Sequence, residues 1–176
     1  YAVILSLVIV ISCLPLGAVA VENDKNTYSG TNTVIYVENT YCIVGKTVNV
    51  NINVSNNFGI AGTKFTVSYG NDLTLVSVTE EGGAFEALDY TAPEALSSPC
   101  LFNWDSLDSI SNDDGTIITL TFEVSSEVQA GEKLDINISC NYGDIYDADL
   151  KSVAVTVISG SLDVINYIPG DVNGDD

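Results

Sequence analysis

Apolar and polar residues alternate in many short segments of this chain. Residues 47–54 show the pattern most clearly, because Val48, Val50, Ile52 and Val54 share one face while asparagine and threonine occupy the other. The same alternation recurs at residues 34–38, 63–69, 73–78, 101–105, 117–124, 134–140, 153–158 and 161–165. The pattern predicts about nine β-strands, each with one buried face.

Turn-forming residues separate these segments. Glycine, asparagine, aspartate and serine cluster at residues 56–59, 70–72, 81–83, 111–115 and 130–132. No segment shows a sustained helical period, and Pro93 limits residues 84–96 to at most a short turn of helix. Strands that recur about every ten residues without intervening helices predict an all-β sandwich.

The first 32 residues differ in composition from the rest. Residues 1–20 hold an uncharged apolar run that ends in Ala18-Val19-Ala20, small residues that a signal peptidase accepts. We therefore expect a signal peptide at residues 1–20 and a secreted, extracellular protein. A retained helical anchor and lipid attachment at Cys13 are the alternatives. The polar residues 21–32 are predicted to form a flexible leader, and residues 33–166 the folded domain.

The last residues carry oxygen ligands at alternate positions. Asp171, Asn173 and Asp175 would fill positions 1, 3 and 5 of an EF-hand-type calcium loop, whose acidic position 12 lies beyond Asp176. We interpret residues 167–176 as a linker and the truncated start of such a loop, with an acidic tail as the alternative. We expect the chain to be a fragment at both ends, and the incomplete loop not to bind calcium.

The net charge and the amino-acid composition exclude several classes of partner and of catalytic mechanism. The chain has 24 acidic residues, five lysines and a net charge of −19, which argues against nucleic acid and anionic membranes as partners. It contains no histidine, which removes the commonest general base and the usual zinc ligand. Asp105, Asp108, Asp113 and Asp114 could supply a glycosidase pair, but no two of them stand out. We therefore expect a binding protein that is not an enzyme.

The aromatic residues raise the possibility of carbohydrate binding, and the cysteines raise the question of disulfide bonds. A carbohydrate-binding sandwich would present a row of aromatic rings, and the candidates are Trp104, Tyr90, Tyr142 and Tyr146. Trp104 alternates with Phe102, so both are predicted to lie in the core. Beyond the signal region three cysteines remain, at positions 42, 100 and 140. At most one disulfide could form among them, and the expectation is that they are free, buried thiols that act as small apolar side chains.

The order of the segments resembles that of a cohesin domain. The first half of the family is matched by Val44-Gly45-Lys46-Thr47-Val48-Asn49-Val50, by residues 59–69 (GIAGTKFTVSY) and by residues 73–78 (LTLVSV). Its late and closing strands are similar to residues 114–124 (DGTIITLTFEV) and 159–164 (SGSLDV). The resemblance covers residues 33–166. It implies a nine-stranded jelly-roll β-sandwich, all-β in class and without a cofactor, from anaerobic bacteria that degrade plant cell walls.

The resemblance also implies a function. Cohesins bind dockerin domains of glycoside hydrolases or other scaffoldins and thereby assemble cellulosomes for polysaccharide degradation. Transferred position by position, the partner-binding residues are Gly62, Lys64, Thr66, Asn103, Asp105, Ser106 and Leu150. At Gly62 and Lys64 the family often has asparagine and aspartate, so the preferred partner is expected to differ. The alternative function is carbohydrate binding or adhesion.

The C-terminal segment fits the same resemblance. Asp171-Val172-Asn173-Gly174-Asp175 resembles the opening of the first calcium loop of a dockerin. A cohesin followed by a dockerin implies an adaptor scaffoldin, whose own dockerin would bind another cohesin. Calcium is expected only in the complete dockerin.

Overall fold

The computed structural model describes residues 32–80 and 82–166, which form an all-β sandwich. The described residues contain twelve strands: β1 (Thr33–Val37), β2 (Thr40–Ile43), β3 (Thr47–Ser55), β4 (Gly62–Tyr69), β5 (Leu73–Thr79), β6 (Asp89–Thr91), β7 (Cys100–Asp105), β8 (Gly115–Val124), β9 (Lys133–Ser139), β10 (Ile145–Tyr146), β11 (Val155–Ile158) and β12 (Gly160–Ile165).

Two sheets make up the sandwich. One has five strands in the order β11-β1-β3-β8-β5, and the other has the order β2-β12-β9-β4-β7-β6, with β10 also paired to β4. Most neighbours are antiparallel, whereas β1 pairs with β11 and β2 with β12 in parallel. Each of the nine segments expected from alternation corresponds to one strand. The structure adds β2, β6 and β10, which have four, three and two residues and are too short to show a clear period.

The core lies between the two sheets and is made of the apolar faces that alternation predicts. Ile52 and Phe122 come from the five-stranded sheet, and Phe65 and Phe102 from the other, all nearly inaccessible to solvent. Tyr69 and Phe122 join the sheets, with ring centroids 4.9 Å apart. Trp104 is fully buried, which confirms that it belongs to the core.

The three cysteines of the described domain are free thiols. Cys42 and Cys100 are buried, and Cys140 is partly buried. Burial raises the pKa of the Cys42 and Cys100 thiols above their ordinary value, which disfavours the reactive thiolate. These cysteines therefore act as small apolar side chains, as expected from the sequence.

Several expectations concern residues outside the described ranges. The signal peptide, residues 21–31 of the leader, Cys13 and the calcium-loop residues Asp171, Asn173 and Asp175 all belong to this group. In the described ranges, no helix has the length and hydropathy needed to cross a membrane. The same ranges hold no group of three or more histidine, cysteine, aspartate or glutamate residues placed to bind a metal ion.

Candidate protein-binding face

The outer face of β4 and β7 carries most of the predicted partner-binding residues. Phe65 and Val67 point into the core, so Lys64 and Thr66 lie on the opposite, outer face of β4. In the register of the two strands, Lys64 is opposite Asn103 and Thr66 is opposite Leu101. Leu101 is 49% exposed, which puts an apolar side chain among the polar ones on this face.

The chain leaves the sheet between β9 and β10. β9 pairs with the C-terminal half of β4, where Ser139 is opposite Thr66, and β10 pairs with its first residues. Residues 140–144 between them form an excursion, in which Tyr142 is 97% exposed. This excursion borders the outer face beside Lys64, because the Lys64 N–H donates to the Asp144 carbonyl at 2.9 Å.

Gly62 lies beneath the ring of Tyr146. The two residues are directly opposite in the β4–β10 pair, and the Ala61 N–H donates to the Tyr146 carbonyl at 2.9 Å. A Cβ atom added to Gly62 would overlap the Tyr146 ring, so only glycine leaves room for it. Gly62 is consequently buried, and the side chain that occupies this position of the outer face is that of Tyr146.

Lys64 is paired with a carboxylate. Its Nζ lies 3.1 Å from Asp144 Oδ1, and the two side chains are 45% and 14% exposed. The Asn141 N–H donates to Asp144 Oδ2 at 2.7 Å, and this bond is the main reason why the pKa of Asp144 is below its ordinary value, with Lys64 adding to it. At this position the face therefore presents a Lys64–Asp144 ion pair and not an isolated positive charge.

Leu150 projects from a tight turn after β10. The Asp147 carboxylate accepts from the N–H groups of Asp149 and Lys151, both at 2.9 Å, and this bonding closes the turn. Leu150 has a φ of 59°, a left-handed conformation that is strained for a leucine. The strained geometry holds an apolar side chain that is 74% exposed.

The opposite border of the face is formed by the end of β7 and by β6. Asp105 is exposed and lies opposite both Gly62 of β4 and Asp89 of β6. The Ser106 N–H donates to the Ala61 carbonyl at 2.9 Å, while its hydroxyl accepts from the N–H groups of Asp108 and Ser109 in the turn that follows.

The structure gathers most of the predicted residues on one sheet face. The face carries the side chains of Lys64, Thr66, Asn103 and Asp105. Ser106 follows directly after β7, and Leu150 lies in the turn that follows β10. Gly62 is covered by the Tyr146 ring. Reasoning from the sequence missed Asp89, Asp144 and the role of Tyr146. One signal was present: a glycine within an alternating strand often marks a close approach of another chain segment.

The structure does not support the two other candidate functions, carbohydrate binding by a row of aromatic rings and glycosidase catalysis by a pair of aspartates. Trp104 and Tyr90 face inward, with ring centroids 4.9 Å apart, so they cannot form a row with the exposed Tyr142. The Asp114 carboxylate accepts from the N–H groups of Asn56 and Asn57 at 3.1 and 2.8 Å, which holds a loop in place. Asp114 therefore has a structural role.

Replacing Asp144 by asparagine should reveal a pH-dependent contribution to stability. A lowered pKa means that the carboxylate stabilises the fold fully above its ordinary pKa of 3.8, and that this stabilisation is lost as the pH falls through the lower folded value. We expect Asp144→Asn to lower the free energy of unfolding by about 1 kcal/mol at pH 7. Urea titrations at pH 7 and at about pH 2.5 should show a smaller difference at the acidic pH.

Asp149 supplies a matched control. Its ion pair with Lys151 has an N–O distance of 2.8 Å, but both side chains are 73% exposed. Exposed pairs contribute little, so Asp149→Asn should leave stability within about 0.5 kcal/mol at both pH values. An equal loss in both variants would contradict the structural role of Asp144.

Comparison with known proteins gives one consistent fold. A family model described as "Cohesin domain" matches residues 31–164. The sixth cohesin of scaffoldin B from Acetivibrio cellulolyticus, solved with a mutant dockerin, is 20% identical with a TM-score of 0.64, and the match covers 77% of this chain and 100% of that one.

Two other solved structures agree. The OlpA cohesin–dockerin complex from Clostridium thermocellum, described as a novel type I complex, is 16% identical with a TM-score of 0.63 and coverage of 76% and 99%. A non-cellulosomal cohesin from the archaeon Archaeoglobus fulgidus is 21% identical with a TM-score of 0.61 and coverage of 76% and 91%. No curated protein sequence matches the chain.

Proposed function

The chain belongs to the cohesin family, and we propose on this premise that it is a secreted, non-catalytic module that binds a dockerin domain of another protein. Cohesin domains are protein-interaction modules, and two of the similar solved cohesins are in complex with dockerins. The dockerin-bearing partner would be a glycoside hydrolase or another scaffoldin. The assembly would be a cellulosome that degrades plant polysaccharides.

The observation that carries this proposal is the outer face of β4 and β7. It is a strand surface in which the exposed Leu101 lies between polar residues such as Thr66 and Asn103. A mixed surface of this kind is typical of non-obligate protein interfaces. A sugar-binding face would instead need several exposed aromatic rings, and Trp104 and Tyr90 are turned inward.

The role of the whole protein is part of the same proposal. Residues 171–175 would begin a dockerin that follows the cohesin, which would make the protein an adaptor. Its own dockerin, when complete and loaded with calcium, would bind a second cohesin. The sandwich itself is proposed to need no cofactor.

Calorimetry against a panel of dockerins tests the proposal. The purified chain should bind at least one dockerin in the presence of calcium, and EDTA should abolish binding because it unfolds the calcium loops of the dockerin. Cellulose and xylan pull-downs run beside it. Retention on a polysaccharide without any dockerin partner would replace the proposal by carbohydrate binding.

A pair of lysine substitutions locates the binding face. Asn103→Lys introduces a bulky charge into the face, and we expect at least about a ten-fold loss of dockerin affinity. Ser77→Lys adds the same charge on β5, on the other sheet, and should change affinity by less than about two-fold. Equal effects of the two variants would place the dockerin elsewhere.

A further inference from the structure

The ring of Tyr146 takes the place of the side chain that Gly62 lacks. The two residues are directly opposite in the β4–β10 pair. The end of the ring, with Cε1, Cζ and the hydroxyl oxygen, covers the Gly62 backbone, and a Cβ atom at Gly62 would overlap all three atoms. The outer face therefore presents an aromatic ring at this position, supplied by a residue 84 positions further along the chain.

The backbone of Tyr146 is held on both sides. On one side the Ala61 N–H donates to the Tyr146 carbonyl at 2.9 Å, and on the other side Tyr146 forms an antiparallel bridge with Ser152. The residue is partly exposed, so its ring packs on β4 and also contacts solvent. A ring that is already held in place loses little conformational entropy when a partner binds, which favours it as a contact residue.

The surroundings of the ring favour an apolar contact. Lys64, two residues further along β4, is already engaged by Asp144 at 3.1 Å. Leu101 on β7 and Leu150 in the turn after β10 are 49% and 74% exposed, so the same region offers further apolar surface. Tyrosine is enriched among the interface residues that contribute most to affinity, and such residues are surrounded by contacts that exclude water.

We propose that Tyr146 is a specificity-determining residue, which selects dockerins that place an aliphatic or aromatic side chain against its ring. This inference rests on the proposed function and adds the chemistry of the partner residue. An apolar side chain would bury the exposed surface of the ring, which is favourable in proportion to the apolar area removed from water. A polar side chain at the same place would lose hydrogen bonds to water against an apolar surface.

Selection from a displayed dockerin library tests the proposal. The library randomises the surface positions of the dockerin helices and is sorted, with calcium present, against three forms of the purified chain: wild type, Tyr146→Ser and Tyr41→Ser. Tyr41 is the matched control, because it is an exposed tyrosine on β2, three strands away from β4 in the same sheet. We expect apolar side chains to be enriched by the wild type and by Tyr41→Ser, but not by Tyr146→Ser.

Individual affinities give the size of the effect. For a selected dockerin, Tyr146→Ser should bind at least about ten-fold more weakly than wild type, a loss typical of truncating a tyrosine that is central to an interface. Tyr146→Phe keeps the ring and should retain most of the affinity. Circular dichroism confirms that each variant is folded.

A methyl group at position 62 tests the contact between the two residues independently. Gly62→Ala keeps the ring in the chain but forces it away from β4, so the affinity should fall by about ten-fold or more and the urea midpoint of unfolding should also fall. In Gly62→Ala/Tyr146→Ser the methyl group has room. The urea midpoint should therefore recover to that of Tyr146→Ser, while the affinity stays low.

The outcomes separate this inference from the proposed function. Dockerins that bind without apolar enrichment, or equally well to Tyr146→Ser, would overturn the role of Tyr146 and leave dockerin binding intact. Enrichment of basic side chains instead, drawn to the exposed Asp105 opposite Gly62, would overturn it as well. A library that yields no binder for any of the three forms would overturn both. Loss of apolar enrichment only in Tyr146→Ser would support the role of the ring.

Discussion

Trp104→Ala is expected to lower the free energy of unfolding by about 3–5 kcal/mol, the range for removing a buried tryptophan. Trp104 is fully buried, and its ring packs against Phe65, Phe85 and Tyr90 with centroid distances of 5.4, 5.8 and 4.9 Å. Alanine would leave a cavity that this rigid group of rings cannot refill. Chemical denaturation monitored by circular dichroism measures the loss.

Leu101 provides the control for this substitution. It lies on the same strand, β7, but its side chain faces outward. Leu101→Ala should change stability by no more than about 0.5 kcal/mol. If Trp104→Ala were as mild as Leu101→Ala, the assignment of Trp104 to the core would be wrong.

Asn57→Ala is expected to be the second most damaging change, at about 2–3 kcal/mol. The Asn57 side-chain amide donates to the Ser111 hydroxyl at 3.0 Å and to the Asp113 carbonyl at 3.2 Å, and its oxygen accepts from the Gly59 N–H at 3.2 Å. Ser111 in turn donates to the Ala84 carbonyl at 2.6 Å. Alanine would remove the side-chain partner of the Asp113 carbonyl and of the Gly59 N–H, and would leave the Ser111 hydroxyl with only its bond to Ala84.

The same loops contain a suitable control. Asn112 is exposed, and its side chain makes no hydrogen bond within the described part of the chain. Asn112→Ala should therefore stay within about 0.5 kcal/mol of the wild type in the same urea titration. Similar losses at both positions would indicate a general sensitivity of the loop and not a network centred on Asn57.

The hydrogen-bonded pairs on the outer face of the five-stranded sheet show what the sequence predicts and what only the structure reveals. Alternation predicts the direction of each side chain, whereas the structure is needed to identify its partner on the neighbouring strand. Alternation in residues 47–54 predicts that Asn49 and Asn51 point away from the core, and they do. Only the β3–β8 register shows that Thr121 and Thr119 donate to their side-chain oxygens at 2.9 and 2.8 Å. These partners are about seventy residues apart in the chain, and no local pattern encodes which strands become neighbours.

The candidate binding face also combines residues that the sequence indicated with contacts that only the structure shows. The resemblance to cohesins indicated Lys64, Thr66, Asn103 and Asp105, because these positions lie on strands that alternation and segment order identify. It did not indicate that Asp144 neutralises Lys64. That contact depends on the chain leaving the sheet after β9 and returning as β10, a two-residue strand without a detectable period.

The sequence by itself therefore determined nine of the twelve described strands, their buried faces and the family, because a period of two residues and a segment order are properties of the chain read in one direction. Tertiary structure alone decided that Tyr146 covers Gly62 and that Asp89, Asp105 and Tyr146 form one row. Pairing between strands that are distant in sequence fixes these neighbours, since the register is set by the packing of the whole sheet.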